Sequence, residues 1–311
     1  MQQKIIDLRT GNEITSPPPC VLCLGTFDGV HIGHSALIAE TLRQKSVLRE
    51  KYPDTVGGAW CFSLPPADFL FDAPTPHITT LDQKLELFSD AGLDIAIIGD
   101  FPSLRDVKKE TFVKEILKER CRCIKSVCGF DFRFGKNAEG GPSELEALPL
   151  GNITVEPVLY DGIPVSSSEI RNLIKSGELD RATRMLGRPY SVTLPIMHGK
   201  TLGRKLGAPT ANQQIPPGIL VPKHGVYATK ATVGGITYPA ITNVGTNPTV
   251  SDSETVKAET HILGFCGDIY GNTLKIEFMS YIRGEKKFSS RDELAAAISE
   301  DITRAKEYFN N

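Results

Sequence analysis

The chain has 311 residues, 40% hydrophobic and 23% charged, with a formal net charge of -2 at pH 7. That length predicts two domains with apolar material for two cores, and the charge balance gives no sign of the basic stripe of a protein that grips long nucleic acid. No run approaches the ~20 apolar residues of a membrane span, and Met1 to Asn12 holds no signal-peptide core, so a cytoplasmic protein with neither membrane nor nucleic-acid partner is expected.

The seven cysteines are an odd number, and Cys121 and Cys123 stand too close for zinc pairing. They are read as reduced packing thiols. In chain order, Val21 to Leu24 is an apolar run closed by Gly25, which suits a buried parallel strand. His34 to Leu48 carries Leu37, Ile38 and Leu42 at helical spacing. Ala59–Phe62 reads as a strand, Asp82–Ala91 as a helix, Ile95–Ile98 as a strand and Thr111–Arg120 as a helix. Ile124–Cys128 and Thr154–Val158 read as further strands. Such alternation predicts a doubly wound α/β domain.

Ser168–Lys175 and Glu178–Leu186 read as two helices broken at Gly177, and Gly187-Arg188-Pro189 ends helical character. Short β-like runs follow at Ser191–Ile196, Gly225–Val233, Ile236–Thr242 and Thr273–Phe278, separated by Gly, Pro and Asn. They predict a small antiparallel β-barrel, and Asp292–Phe309 closes the chain as an amphipathic helix. The boundary is placed at 187, giving modules 1–187 and 188–311.

Two constellations carry chemistry. The first strand runs into Gly25-Thr26-Phe27-Asp28-Gly29-Val30-His31-Ile32-Gly33-His34. Glycines let backbone approach a ligand, and the following helix aims its first N–H groups at it. His31 and His34 are three apart, so both can face one phosphate and stabilise charge developing there. Ser166, Ser167 and Ser168 stand at a helix start with Arg171 one turn in. Those hydroxyls suit helix capping; together with a planar guanidinium they also suit phosphate oxygens.

The loop and the Ser-rich helix start together resemble the nucleotidylyltransferase superfamily. Gly129-Phe130-Asp131-Phe132-Arg133-Phe134-Gly135 and Ile78-Thr79-Thr80-Leu81-Asp82-Gln83-Lys84 narrow the likeness to the flavin-adenylylating module of bacterial FAD synthetases. The resemblance implies ATP and flavin contacts from Gly25, Phe27, Asp28, Gly29, Asp131, Ser166, Ser167 and Ser168, with His31, His34 and Arg171 serving the reaction. Ser168 stands where the family usually has Thr, and Leu64-Pro65-Pro66 replaces its Pro-His-Pro.

In the second half, His198-Gly199-Lys200-Thr201 suggests a P-loop, but position 194 is Leu194 and the glycine cradle is missing. The longer string Gly203-Arg204-Lys205-Leu206-Gly207-Ala208-Pro209-Thr210-Ala211-Asn212 resembles the riboflavin kinase family. Asn243-Val244-Gly245-Thr246-Asn247, Glu259-Thr260-His261 and Tyr281-Ile282-Arg283-Gly284-Glu285 continue the family's order. The likeness implies Mg²⁺ on Thr210 and Asn212, a general base at Glu259, and substrate contacts from Gly203, Lys205, Gly207, Asn243 and Arg283.

The resemblance implies a bifunctional enzyme that phosphorylates riboflavin to FMN and adenylylates FMN to FAD, using ATP and Mg²⁺, as a monomer or weak homo-oligomer with small-molecule partners. Two rival readings are a kinase with a relic first module and a flavin-binding protein without turnover. The intact His31, His34 and Arg171 weigh against the first, and Glu259 beside Thr210 and Asn212 against the second.

Overall fold

The computed structural model describes residues 3–10, 17–70, 75–197, 210–246, 256–265, 267, 269 and 271–310. The chain forms two compact units, Met1–Ser167 and Ser168–Asn311.

The first unit is built on six strands: β1 (Lys4–Asp7), β2 (Cys20–Leu24), β3 (Val56–Phe62), β4 (Ile95–Gly99), β5 (Cys123–Gly129) and β6 (Asn152–Val155). They run parallel in the order β1-β4-β3-β2-β5-β6, and a separate hairpin pairs β7 (Leu159–Tyr160) with β8 (Ile163–Pro164). Every residue of β2 is buried, as a strand covered on both faces requires. Alternate side chains feed two cores. Leu22, Leu24, Trp60 and Ile97 pack with Phe112 and Leu117. Val21, Cys23, Ala59 and Ile98 pack with Leu37 and Ile38 of α1 (Ile32–Leu48) and Phe88 of α2 (Leu81–Asp90). A reciprocal box starts α2: Gln83 N–H donates to Thr80 Oγ1, and Thr80 N–H to Gln83 Oε1.

The helix expected at Thr111–Arg120 forms with π geometry over Phe112–Arg120, and Cys121 N–H accordingly reaches back to Ile116 O. Cys20, Cys23, Cys61, Cys121, Cys123 and Cys128 are free and buried. Burial pushes the Cys23 and Cys121 thiols up to about 12 and the Cys128 thiol up to about 11.

From β2 the chain steps to β3 and β4 on one side, then returns to β5 on the other. The carboxyl ends of β2 and β5 therefore flank a switch point, where ligands of open parallel sheets bind. Leu24 pairs with Cys128 there, so the segments after Leu24 and after Gly129 leave the sheet side by side.

In the second unit, α3 (Ser167–Ser176, whose first residue ends the first unit) and α4 (Leu179–Leu186) break at Gly177, which has φ 86°. A Cβ there would press on the Lys223 side chain at 3.1 Å. Lys223 N–H donates to Ile174 O, and α4 packs on β9 (Tyr190–Pro195) and β14 (Thr273–Arg283) through an apolar face that buries Leu179, Ala182, Met185 and Leu186. Gly187, at φ 76°, ends α4 as a left-handed cap.

The remaining strands are β10 (Thr210–Gln214), β11 (Gly225–Val233), β12 (Ile236–Thr246) and β13 (Val256–Ile262). With β9 and β14 they make an antiparallel sheet in the order β10-β13-β12-β11-β14-β9. It curls into a half-barrel whose edges meet where Met197 N–H bonds Asn212 O at 2.7 Å. Gln213 reinforces the seam, its amide donating to Leu194 O and Leu274 O. Tyr190, Tyr227 and Phe278 fill the interior beside a chain of buried hydroxyls, Thr229, Thr242 and Thr260. Outside, Ala305 of α5 (Arg291–Asn310) packs on Val226, Ala228 and Ile241.

Candidate active sites

In the first unit the chain leaves β2 through a loop that few side chains tolerate. Phe27, Gly29 and Val30 have φ of 53°, 83° and 39°, so three left-handed positions fall within four residues. A Cβ on Gly25 would meet the Phe27 ring at 3.1 Å. That ring is fully buried against Phe88 and His34, so Phe27 shapes the loop from its core side. Asp28 also turns inward. Its carboxylate accepts the N–H groups of Ile78 at 2.9 Å and Thr79 at 3.2 Å, while Gly29 N–H donates to Thr79 Oγ1. Ser167 Oγ donates to the Asp28 carbonyl at 2.8 Å, tying the Ser-rich segment to the same turn.

His31 is the N-cap of α1. Its Nδ1 accepts the His34 N–H at 3.3 Å, and its ring stacks on that of His34 at 3.7 Å between centroids, tilted 19°. An Nδ1 that accepts cannot carry the proton of a neutral imidazole, so that proton sits on Nε2 and makes it a donor. One nitrogen of the ring thus caps the helix while the other carries a proton to donate. Asp131 is exposed just after β5, across the switch point from this loop. Ser166 precedes α3.

The first unit thus brings together Gly25, Phe27, Asp28, Gly29, His31, His34 and Ser167, with Ser166 next to Ser167 in the chain and Asp131 following the neighbouring strand β5. Ser168 and Arg171 lie in the first turns of α3, where Arg171 Nη2 donates to Ser168 Oγ at 3.2 Å. Two residues with no role assigned from sequence also serve the loop: Thr79, which holds Gly29, and Lys84, whose ammonium donates to Thr26 O at 2.8 Å and Phe62 O at 3.0 Å. They stand some fifty residues from the loop, and no local pattern announces the pairing.

In the second unit, register does the assembling. Asn212 of β10 pairs with Glu259 of β13, which pairs with Asn243 of β12. The row continues through Val226 to Arg283. Thr210, two residues from Asn212, pairs with His261. Ala211, Gln213, Ala258 and Thr260 are buried, so the alternation puts Thr210, Asn212, Glu259 and His261 on the opposite face. Asn212 Nδ2 donates to Thr210 O, which leaves its Oδ1 as the presented atom.

A hydroxyl, an amide oxygen and a carboxylate on one face fit a hard divalent cation that shares its shell with phosphate. Arg283 departs from its expected substrate contact in one respect: its guanidinium forks onto Asp301 of α5 at 2.9 and 2.7 Å. Gly203, Lys205 and Gly207 lie outside the described residues.

Comparison with known proteins bears on both units. A family model for FAD synthetase matches residues 13–169, and one for riboflavin kinase matches residues 186–309. The chain is 33% identical over 295 residues to a Pseudomonas fluorescens protein described as a bifunctional riboflavin kinase/FMN adenylyltransferase, covering 92% of each. Proteins of the same description from Listeria monocytogenes and Escherichia coli are 32% and 31% identical, each over 93% of this chain and 92% and 93% of the relative. A Streptococcus pneumoniae crystal structure described as a macrolide-efflux protein superposes with a TM-score of 0.86 at 27% identity, over 97% of this chain and 98% of that one.

Proposed function

The chain belongs to the family of bifunctional riboflavin kinase/FMN adenylyltransferases, and on that premise we propose which residues carry each of its two activities. It transfers a phosphoryl group from ATP to riboflavin, giving FMN, and then AMP from ATP to FMN, giving FAD and pyrophosphate.

Residues 1–187 carry adenylyl transfer and residues 188–311 carry the kinase. The extents of the two family models, 13–169 and 186–309, support this division. In adenylyl transfer a phosphate oxygen of FMN attacks the α-phosphorus of ATP and pyrophosphate leaves, so no protein nucleophile is needed. Gly25, Phe27, Asp28 and Gly29 hold the loop that receives the nucleotide, Phe27 from its core side, and Asp131 borders it from the end of β5. The His31 Nε2–H, with His34, donates to the phosphate oxygens on which charge builds. Ser166, Ser167, Ser168 and Arg171 take the remaining phosphate oxygens.

In the kinase, Glu259 accepts the proton of the riboflavin 5′-hydroxyl as that oxygen attacks the γ-phosphorus. Thr210 and Asn212 would hold Mg²⁺, which when bound neutralises charge on the ATP phosphates. Asn243 orients substrate beside Glu259. Arg283, braced by Asp301, lines the flavin side, and Gly203, Lys205 and Gly207 contact ATP.

The observation that carries this reading is the row Asn212–Glu259–Asn243, three polar residues placed in register on adjacent strands. The protein is read as cytoplasmic, a monomer or weak homo-oligomer acting on small molecules. Six free cysteines among the described residues support a reducing compartment.

Product analysis from riboflavin and MgATP tests the assignment. Wild type yields FMN and then FAD. A His31→Ala, His34→Ala double variant stops at FMN, and Glu259→Gln makes FAD only when FMN is supplied. Both products in equal yield from either variant would overturn it.

A further inference from the structure

We infer that Lys84 is a positioning residue for adenylyl transfer, which fixes the two strand ends bounding the nucleotide loop and sets a positive charge beneath the phosphates. The inference rests on the reading of the Gly25–His34 loop as the nucleotide site.

Lys84 is 3% exposed, in the second turn of α2. Its ammonium donates to Thr26 O at 2.8 Å, just past the end of β2, and to Phe62 O at 3.0 Å, the last residue of β3. No carboxylate pairs with it among the described residues. A buried ammonium is costly to desolvate, and two carbonyl dipoles offset only part of that cost. A purely structural link between two strand-end carbonyls is served as well by a neutral donor, so the charge calls for an anionic complement.

The neighbouring contacts say where that complement sits. The same segment, Ile78 to Lys84, grips the loop at three further points: Asp28 carboxylate to Ile78 and Thr79 N–H, and Thr79 Oγ1 to Gly29 N–H. Lys84 is the cationic end of this frame, and it holds the carbonyl two residues before Asp28. Inside low-dielectric surroundings its field reaches the loop with little screening. The ATP polyphosphate is the anion that completes the pair. Lys84 therefore acts through the loop rather than by touching substrate.

The test uses the full-length enzyme with Lys84→Met, Lys84→Arg and the His31→Ala, His34→Ala double variant. Both activities are measured in each preparation, so riboflavin phosphorylation reports folding. The inference expects Lys84→Met to raise the adenylylation KM for MgATP roughly 10- to 100-fold, with the KM for FMN and riboflavin phosphorylation within twofold of wild type. Lys84→Arg, which keeps the charge, recovers most of the loss. A packing role alone predicts the reverse order, with Met tolerated and the bulkier Arg harmful; that order overturns the inference. If Lys84→Met does not fold, a folded Lys84→Arg decides: an ATP KM within about tenfold of wild type supports the inference, and a larger rise overturns it. If the histidine double variant adenylylates normally, the loop itself has been misread. If that variant is dead while Lys84→Met is normal, only the role of Lys84 falls.

Discussion

Glu259 and Asn212 are directly opposed across antiparallel β13 and β10, so the carboxylate and the amide share one face without any help from loops. Opposed residues on a sheet hold their separation because the ladder fixes both backbones. Glu259→Gln keeps that geometry and removes the base. Riboflavin phosphorylation is expected to fall by about 10²–10⁴, the usual worth of general-base help, while FMN adenylylation persists. Kinase turnover within threefold of wild type would take Glu259 out of the mechanism.

Gly33 is held small by His31. A Cβ at position 33 would lie 3.1 Å from both Cε1 and Nδ1 of the His31 ring. Gly33→Ala should therefore tilt the imidazole and loosen its cap on His34 N–H. Adenylylation is expected to drop roughly tenfold to a hundredfold, as small misplacements of a catalytic group do. Riboflavin phosphorylation serves as the internal control. Unchanged adenylylation would show that the ring need not sit where it does.

Much of this was legible in the sequence, and the remainder failed for identifiable reasons. The buried run at Val21–Leu24 and the helix rich in Leu37, Ile38 and Leu42 are local patterns, and both formed. Lys4–Asp7 was missed because four residues at a sheet edge carry too short a period. Thr210–Gln214 was missed as a strand because polar Thr, Asn and Gln mask its alternation. The row Asn212–Glu259–Asn243 could not be read at all, since register between strands is a non-local quantity. The ties of Asp28 to Ile78 and Thr79 could not be read from its place in the loop, because those partners lie fifty residues away. Arg283 hid its tie to Asp301 for the same reason.

That tie makes a prediction about the last helix. Asp301 is 4% exposed and takes both arms of the Arg283 guanidinium. Asp301→Asn leaves a mostly buried cation without its counterion, at a cost of about 2 kcal/mol, below the range for fully buried pairs because Arg283 keeps some access to water. Thermal unfolding of the second unit should move down by roughly 4–8 °C. The KM for riboflavin should rise as Arg283 loses its brace. An unaltered melting point would show that the pair is a surface ornament.

The buried thiols set an alkaline limit. Cys23 and Cys121 are pushed up to about 12, and Cys128 to about 11, from an ordinary value of 9.0, each chiefly by burial. Below about pH 9 both folded and unfolded chains keep these protons, and they add no slope. Above it the unfolded chain loses them first, so stability falls as pH rises toward 11 or 12, by up to about 1.4 kcal/mol per pH unit for each thiol. Urea midpoints from pH 8 to 11 should decline less steeply in Cys23→Ala than in wild type. The same burial should keep the six described thiols unreactive toward a disulfide reagent at pH 8 until denaturant is added. Equal slopes in the two proteins would refute the thiol account.

The final prediction concerns where the chain can be cut. The change from helical to β-rich text at Gly187-Arg188-Pro189 puts the boundary at 187 and makes residues 186–311 the first kinase fragment to try. The compact unit begins earlier, at Ser168. The reason is the apolar face of α4, where Leu179, Ala182, Met185 and Leu186 are buried as the helix packs on β9 and β14. Lys223 N–H also bonds the end of α3 through Ile174 O. A cut at 186 strips away that cover and bares the strands beneath it. A fragment of residues 168–311 should thus be soluble, unfold cooperatively and make FMN without FAD, whereas 186–311 should be less stable by several kcal/mol, given about 25 cal/mol for each Å² of apolar surface uncovered. Urea unfolding of both fragments, with riboflavin phosphorylation at each midpoint, checks the order. Equal stability would mean that α3 and α4 contribute nothing to the second unit's core. A cooperatively folded 168–311 fragment that cannot phosphorylate riboflavin would mean that the kinase site draws on residues from the first unit, and the assignment of two independent sites would have to be abandoned.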